Sequence, residues 1–187
     1  AKVTVKQIIR QVVKCVSCGT EGSEHPNCHM QKAAVPAPLL PHSISTPSLV
    51  AQIMYQKFAL GLPLARQEND WHRLGLVLPR GNMARWIIRC SQEWLEPVYW
   101  AIHARLMECA ILHMDETRIQ CNKEDGKKAS SQSFMWVIRS AADEEVRAAF
   151  FYYSRTRNGD VAKDLLKRFS GYLVTDAYSG YEKVENI

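Results

Sequence analysis

The sequence predicts an α+β, multidomain protein: a small β unit at residues 1–40, a helical domain at 41–108 and an α/β domain at 109–187. Three observations predict it. Residues 3–13 mix β-branched with polar side chains and lead into Cys15-Val16-Ser17-Cys18-Gly19, the layout of a hairpin tip. The stretch PAPLLPHSISTP (36–47) holds prolines that forbid regular helix or a central strand, so a connector and the first boundary fall there. After Cys109 the apolar period changes from that of a helix to that of a strand.

In the helical domain, Ser48 is a capping residue for a first helix through LVAQIMYQKFALG, with Leu49, Ile53, Tyr55, Phe58 and Leu60 near helical spacing and Gly61 as the stop. A second helix is expected over 64–74, ending at Gly75. A third starts near Asn82, carries Met83, Trp86, Ile87, Cys90, Trp94 and Leu95, and continues or restarts after Pro97 towards Met107. Short helices with a Gly-containing turn before the third read as helix-turn-helix-like. Trp71, Trp86, Trp94 and Trp100 fit a core better than base-stacking platforms.

The last domain opens with β-rich runs at 110–120 (AILHMDETRIQ), 134–141 (FMWVIRSA) and 146–153 (VRAAFFYY), separated by the polar turns KEDGKKASSQ and ADEE. Such turns suit antiparallel hairpins. Residues 158–169 (NGDVAKDLLKRF) are an amphipathic helix and 172–176 (YLVTD) a short strand.

Hydrophobic residues at 47% and charged residues at 23% match soluble folded proteins, and 187 residues can bury a core. No apolar run approaches the roughly 18 residues that span a bilayer, and AKVTVKQIIR lacks a signal-peptide layout, so a cytoplasmic protein without membrane contact is expected. A net charge of +5 favours polyanionic partners, although such an excess is common. The six cysteines read as thiols or metal ligands rather than disulfides. The chain opens without a Met and stops at Ile187 just after a motif that leads towards a helix, so it reads as part of something longer.

Asp115 follows the apolar Ile111, Leu112 and Met114, and Asp176 closes GYLVT, so rigid strands would project both acids. Hairpin-linked strands, a helix and a fourth strand form the order of the ribonuclease-H-like fold, whose first and fourth strands lie side by side. An acid from each then converges on one cation. Paired divalent cations roughly 3.5–4 Å apart clamp the attacking and leaving oxygens of in-line phosphoryl transfer, and carboxylates suit Mg2+ or Mn2+. In a strand Glu116 points to the face opposite Asp115, which favours a hydrogen bond or salt bridge for it, while His113 shares the Asp115 face.

HMDETRIQ (113–120), FMWVIRSA (134–141), FFYYSRTRNGD (150–160) and YLVTDAYSGYE (172–182) resemble the transposase of the insertion-sequence-sixty-six family. The upstream LPHSISTPSLVAQIMYQKFALGLPLARQENDWHRLGLVLPRGNMARWI (40–87) is similar to its middle region. The resemblance implies an Asp-Asp-Glu triad with Asp115 first and Asp176 second. It implies a third acid, a Glu on a later helix beyond Ile187, since Glu182 and Glu185 lie too close to Asp176. The catalytic domain here would then be incomplete and the chain alone inactive. The implied partners are transposon terminal inverted repeats, target DNA, accessory transposition proteins and further copies of the chain.

Cys15 and Cys18 offer two thiolates in zinc-knuckle-like spacing, with His25, Cys28 and His29 close behind. Either Cys28 with His25 or His29 completes a Zn2+ site, or, as the family resemblance suggests, a second Cys-x-x-Cys upstream does. Cys90, Cys109 and Cys121 read as structural thiols.

Arg66, Arg73, Arg80, Arg85 and Arg89 recur through the helical domain and could neutralise phosphates, while Asn82 or Arg85 reaches base edges. Arg155, Arg157 and Asn158 follow the third strand in a turn where a phosphate could be met, and Tyr178 and Tyr181 stack or pack nearby. Two function classes emerge: a metal-dependent DNA transposase, and a DNA-binding zinc/helix-turn-helix module with a truncated, inactive nuclease-like domain. A two-carboxylate glycosidase explains neither the cysteines nor the arginines.

Overall fold

The computed structural model describes residues 3–14, 30–176, 178–185 and 187. The chain divides into two compact units, Ala1–Glu93 and Trp94–Ile187.

In the first unit, strand β1 (Val12–Lys14) pairs antiparallel with β2 (Met30–Lys32), with Val13 opposite Gln31. The expected Zn2+ ligands Cys15, Cys18, His25 and Cys28, and His29 beside them, lie outside the described residues. Helix α1 (Pro47–Met54) is capped by Thr46 rather than Ser48: the Thr46 hydroxyl accepts from the Leu49 N–H at 3.2 Å. Pro47 then sits in the first turn, where a missing N–H costs nothing. A π-helical turn, Tyr55–Ala59, comes next, before Gly61 takes a left-handed φ of 66°. Because a π turn holds one extra residue, it rotates the apolar stripe by roughly 100°. Val50 and Ile53 are therefore buried, whereas Tyr55, Phe58 and Leu60 face solvent.

Helices α2 (Leu64–Arg73) and α3 (Arg80–Cys90) close this unit around Leu40, Ile53, Trp71, Leu78, Met83 and Trp86. Buried Gln67 ties α2 to the preceding turn, its amide donating to the carbonyls of Leu62 (3.1 Å) and Ile53 (3.3 Å). The connection at residues 74–79 is longer than the roughly three- to four-residue turn of a DNA-binding helix-turn-helix.

Pro97 lacks an N–H and its ring clashes with the carbonyl four residues earlier, so the helical ladder cannot run straight through it. The chain answers with a second π-helical turn, Ser91–Leu95, before α4 (Glu96–Leu106). Periodicity alone groups α4 with the helices before it. The structure instead seats α4 on the sheet, where the Tyr99 ring lies 4.3 Å from that of Phe150 and the Tyr99 hydroxyl donates to the Phe151 carbonyl at 2.8 Å. The two compact units divide between Glu93 and Trp94, ahead of α4. The expectation of four core tryptophans is corrected by the same turn: Trp71 and Trp86 are buried, but Trp94 and Trp100 are 56% and 43% exposed.

The second unit's sheet has the order β5-β4-β3-β6, from β3 (Ile111–Gln120), β4 (Gln132–Ser140), β5 (Ala149–Ser154) and β6 (Tyr172–Val174). The first pairings are antiparallel and β6 runs parallel to β3, with His113 beside Val174. One face of the sheet buries Leu112, Met114, Trp136, Ile138 and Phe150 against α4 and α5 (Gly159–Leu165). Asn158 caps α5, its side-chain oxygen accepting from the Asp160 N–H at 3.1 Å. His103 of α4 meets the Leu165 carbonyl at 2.8 Å, which makes Nε2 the protonated nitrogen, and burial lowers this imidazole's pKa. A 3-10 turn, Ser179–Lys183, lies against α5 so closely that a Cβ on Gly159 would stand 2.3 Å from the Gly180 carbonyl oxygen. Among the described residues no helix is long and apolar enough to cross a membrane.

Candidate functional site

Alternation along β3 places Leu112 and Met114 in the core and His113 and Asp115 on the other face. Val174 neighbours His113 at the end of the parallel pairing, and the chain just beyond it brings Asp176 into one cleft with Asp115. A cleft of about 450 Å³ opens there, lined by His113, Asp115, Thr117, Val137, Arg139 and Asp176, among others. Both aspartates are exposed, and each is oriented by a backbone donor: the Glu116 N–H reaches Asp115 Oδ1 at 2.8 Å and the Tyr178 N–H reaches Asp176 Oδ1 at 3.2 Å.

Glu116 joins them. One oxygen each from Asp115, Glu116 and Asp176 lies within 4.8 Å of the others. The Glu116 carboxylate has no exposed surface; it pairs through Oε1 with Arg157 Nε and accepts at Oε2 from the Tyr181 hydroxyl at 2.6 Å. The salt bridge and hydrogen bond expected of Glu116 are both present, yet its carboxylate is near the other acids as well. Strand β6 stops at Val174, which leaves that flank of β3 open beside residues 115 and 116.

Arg157 links the acids. Its Nη2 stands 3.6 Å from Asp176 Oδ2, and its guanidinium lies 4.0 Å above the Tyr178 ring, whose hydroxyl donates back to the Arg157 carbonyl. Its hydrogen bond to Glu116 raises its pKa further, with the charges of Glu116 and Asp176 adding to that. Burial, then the hydrogen bond to Glu116, pushes the Tyr181 phenol well above its ordinary value, so it stays a donor.

The donor set is carboxylate oxygen at short mutual range, with both aspartates held by main-chain N–H groups. It fits a hard divalent cation such as Mg2+ or Mn2+, with Asp115 and Asp176 as the residues that would hold it.

Arg155 is not brought to this cluster: it pairs with Glu124 at 2.8 Å and the Asp125 carbonyl, bracing the hairpin loop between β3 and β4. Asn82, Arg85 and Arg89 stand at i, i+3 and i+7 on α3, and Arg66 and Arg73 about two turns apart on α2. Arg66, Arg73, Arg80 and Arg85 are exposed, while Arg89 is held by Glu93 at 2.8 Å. Arg139 was legible as a cleft residue and was missed: it lies two positions beyond Val137, the cross-strand partner of Asp115.

The sheet is thus an antiparallel hairpin set extended by a parallel strand, with Asp115 on β3 and Asp176 two residues past β6. The Transposase IS66 family matches residues 42–187, and the chain belongs to that family. It is similar to "Uncharacterized protein y4jD" of Sinorhizobium fredii (strain NBRC 101917 / NGR234), 30% identical over 184 residues, covering 95% of this chain and 34% of that protein. "Uncharacterized protein y4hP" of the same organism is 29% identical over 153 residues, covering 80% of this chain and 27% of that protein. The chain thus spans 27% to 34% of the length of these curated relatives. No solved structure matches the chain significantly.

Proposed function

We propose that this chain carries the first two acids of a metal-dependent DNA transposase, on the opening strands of a ribonuclease-H-like domain. The observation that carries the reading is the convergence of Asp115 on β3 and Asp176 just past β6, whose carboxylate oxygens lie within 4.8 Å of each other. When bound, Mg2+ or Mn2+ would activate the attacking oxygen and stabilise the leaving one, whether water frees a 3′-hydroxyl at a transposon end or that hydroxyl attacks target DNA. The chain's own residues do the positioning. Backbone N–H groups fix both aspartates, and Tyr181 holds Glu116. Glu185 pairs with Lys163 at 2.6 Å, and neither it nor Glu182 is among the acids that converge on Asp115 and Asp176, so neither is assigned as a third acid in this reading. The test is Mn2+-dependent nicking of terminal-repeat DNA by the parent protein, which Asp115→Asn and Asp176→Asn must abolish.

The second reading, a DNA-binding module, is favoured by the stripe of Asn82, Arg85 and Arg89 beside exposed Arg66, Arg73 and Arg80. A gel shift with terminal repeats should weaken steeply with salt. Replacing Arg66, Arg73 and Arg85 by Ala should lower the salt slope by about one per lost phosphate contact, and Arg89→Ala by less because Glu93 already holds it. No shift at low salt rejects this role.

Zn2+ on Cys15, Cys18, Cys28 and His25 would order the N-terminal β unit. Elemental analysis should show Zn2+ that falls in Cys15→Ser; an unchanged content rejects the ligand set.

A further inference from the structure

Three carboxylates and one guanidinium share a small volume, so Asp115, Glu116, Asp176 and Arg157 together carry a net charge of −2. Both Glu116 oxygens are already engaged, one by Arg157 and the other by the Tyr181 hydroxyl. A divalent cation approaching the two aspartates therefore meets a positive charge already at the edge of the cluster, and a third carboxylate close by whose two oxygens are both taken.

We propose that Arg157 is the internal counterion of this site, a positioning residue that holds Glu116 out of cation coordination and sets a weakened affinity for the divalent ion. The proposal rests on the reading of Asp115 and Asp176 as the metal-holding pair. The Arg157 side chain is 39% exposed, so it is a charge at the rim and not a buried structural ion. Its guanidinium lies over the Tyr178 ring and pairs with two acids from different segments, which keeps it at the cluster. Coulomb repulsion between a dication and a unit charge at the edge of a partly exposed site is worth about a tenfold change in affinity.

The experiment is Mn2+ titration of the whole chain without DNA, monitored by the paramagnetic resonance of the free ion. Arg157→Gln should tighten binding about tenfold, because the repulsion goes and Glu116 is freed. Arg157→Lys, which keeps the charge, should stay within about threefold of the parent. A purely structural role predicts the opposite sign, since a loosened cluster binds more weakly. Arg157→Gln binding at or below parental strength overturns the proposal. Should that variant fail to fold, Arg157→Met keeps an unbranched stem on Tyr178 and is read the same way. Asp115→Asn with Asp176→Asn is the control. If the pair leaves Mn2+ binding untouched, the metal reading itself fails; if it weakens binding while Arg157→Gln does not tighten it, only the counterion role fails.

Discussion

Strand cleavage by the parent protein is expected to fall at least about a hundredfold in Asp115→Asn and likewise in Asp176→Asn. Metal stabilisation of transition-state charge is worth several kcal/mol, and each ~1.4 kcal/mol is a factor of ten in rate. Asn keeps the size and one oxygen of Asp, so the bonds from the Glu116 and Tyr178 N–H groups survive and the exposed position adds no burial cost. The unfolding midpoint should therefore stay put while activity collapses. Because the two acids would hold the same ions, the double variant should be little worse than either single one. Single-turnover nicking in Mn2+ measures all three, and parental rates in both single variants would remove the proposed centre.

Trp136→Ala should cost about 3–5 kcal/mol, the largest stability loss available in the second unit. The side chain is fully buried, central to the core formed by Met114, Ile138, Phe150 and Phe169, and edge-on to Tyr181 with centroids 6.1 Å apart. It also lies opposite Glu116 in the β3–β4 register, so its removal withdraws the floor beneath the Tyr181–Glu116 hydrogen bond. Urea denaturation of the chain reads the effect as a lowered midpoint. A loss below about 1 kcal/mol would show that the core refills around the gap.

The strand and helix order of the second unit was legible because period, turn chemistry and strand length agreed there. The nearness of the two aspartates was open to sequence reasoning because Asp115 lies within β3 and Asp176 follows β6, its parallel partner, by two residues. The cap of α1 was readable and went to the wrong residue: Thr46 and Ser48 both have a capping hydroxyl, and Pro47 decides for the one before it. The π-helical turns at 55–59 and 91–95 were not legible, since an inserted residue leaves no mark on composition and only rotates the helix beyond it. Phe58 and Trp94 both lie inside these turns and both are exposed. The ion pair and hydrogen bond of Glu116 were legible from its face of β3, whereas the approach of its carboxylate to both aspartates has no local signal. The reach of Arg157 to acids on two other segments is a tertiary fact with no local signal.

Gly159 and Gly180 meet main chain to main chain, one shortly after Arg157 and the other shortly after Asp176. A side chain at residue 159 would have to part these two segments, so the bare backbone there is what lets the arginine and the second aspartate stand side by side.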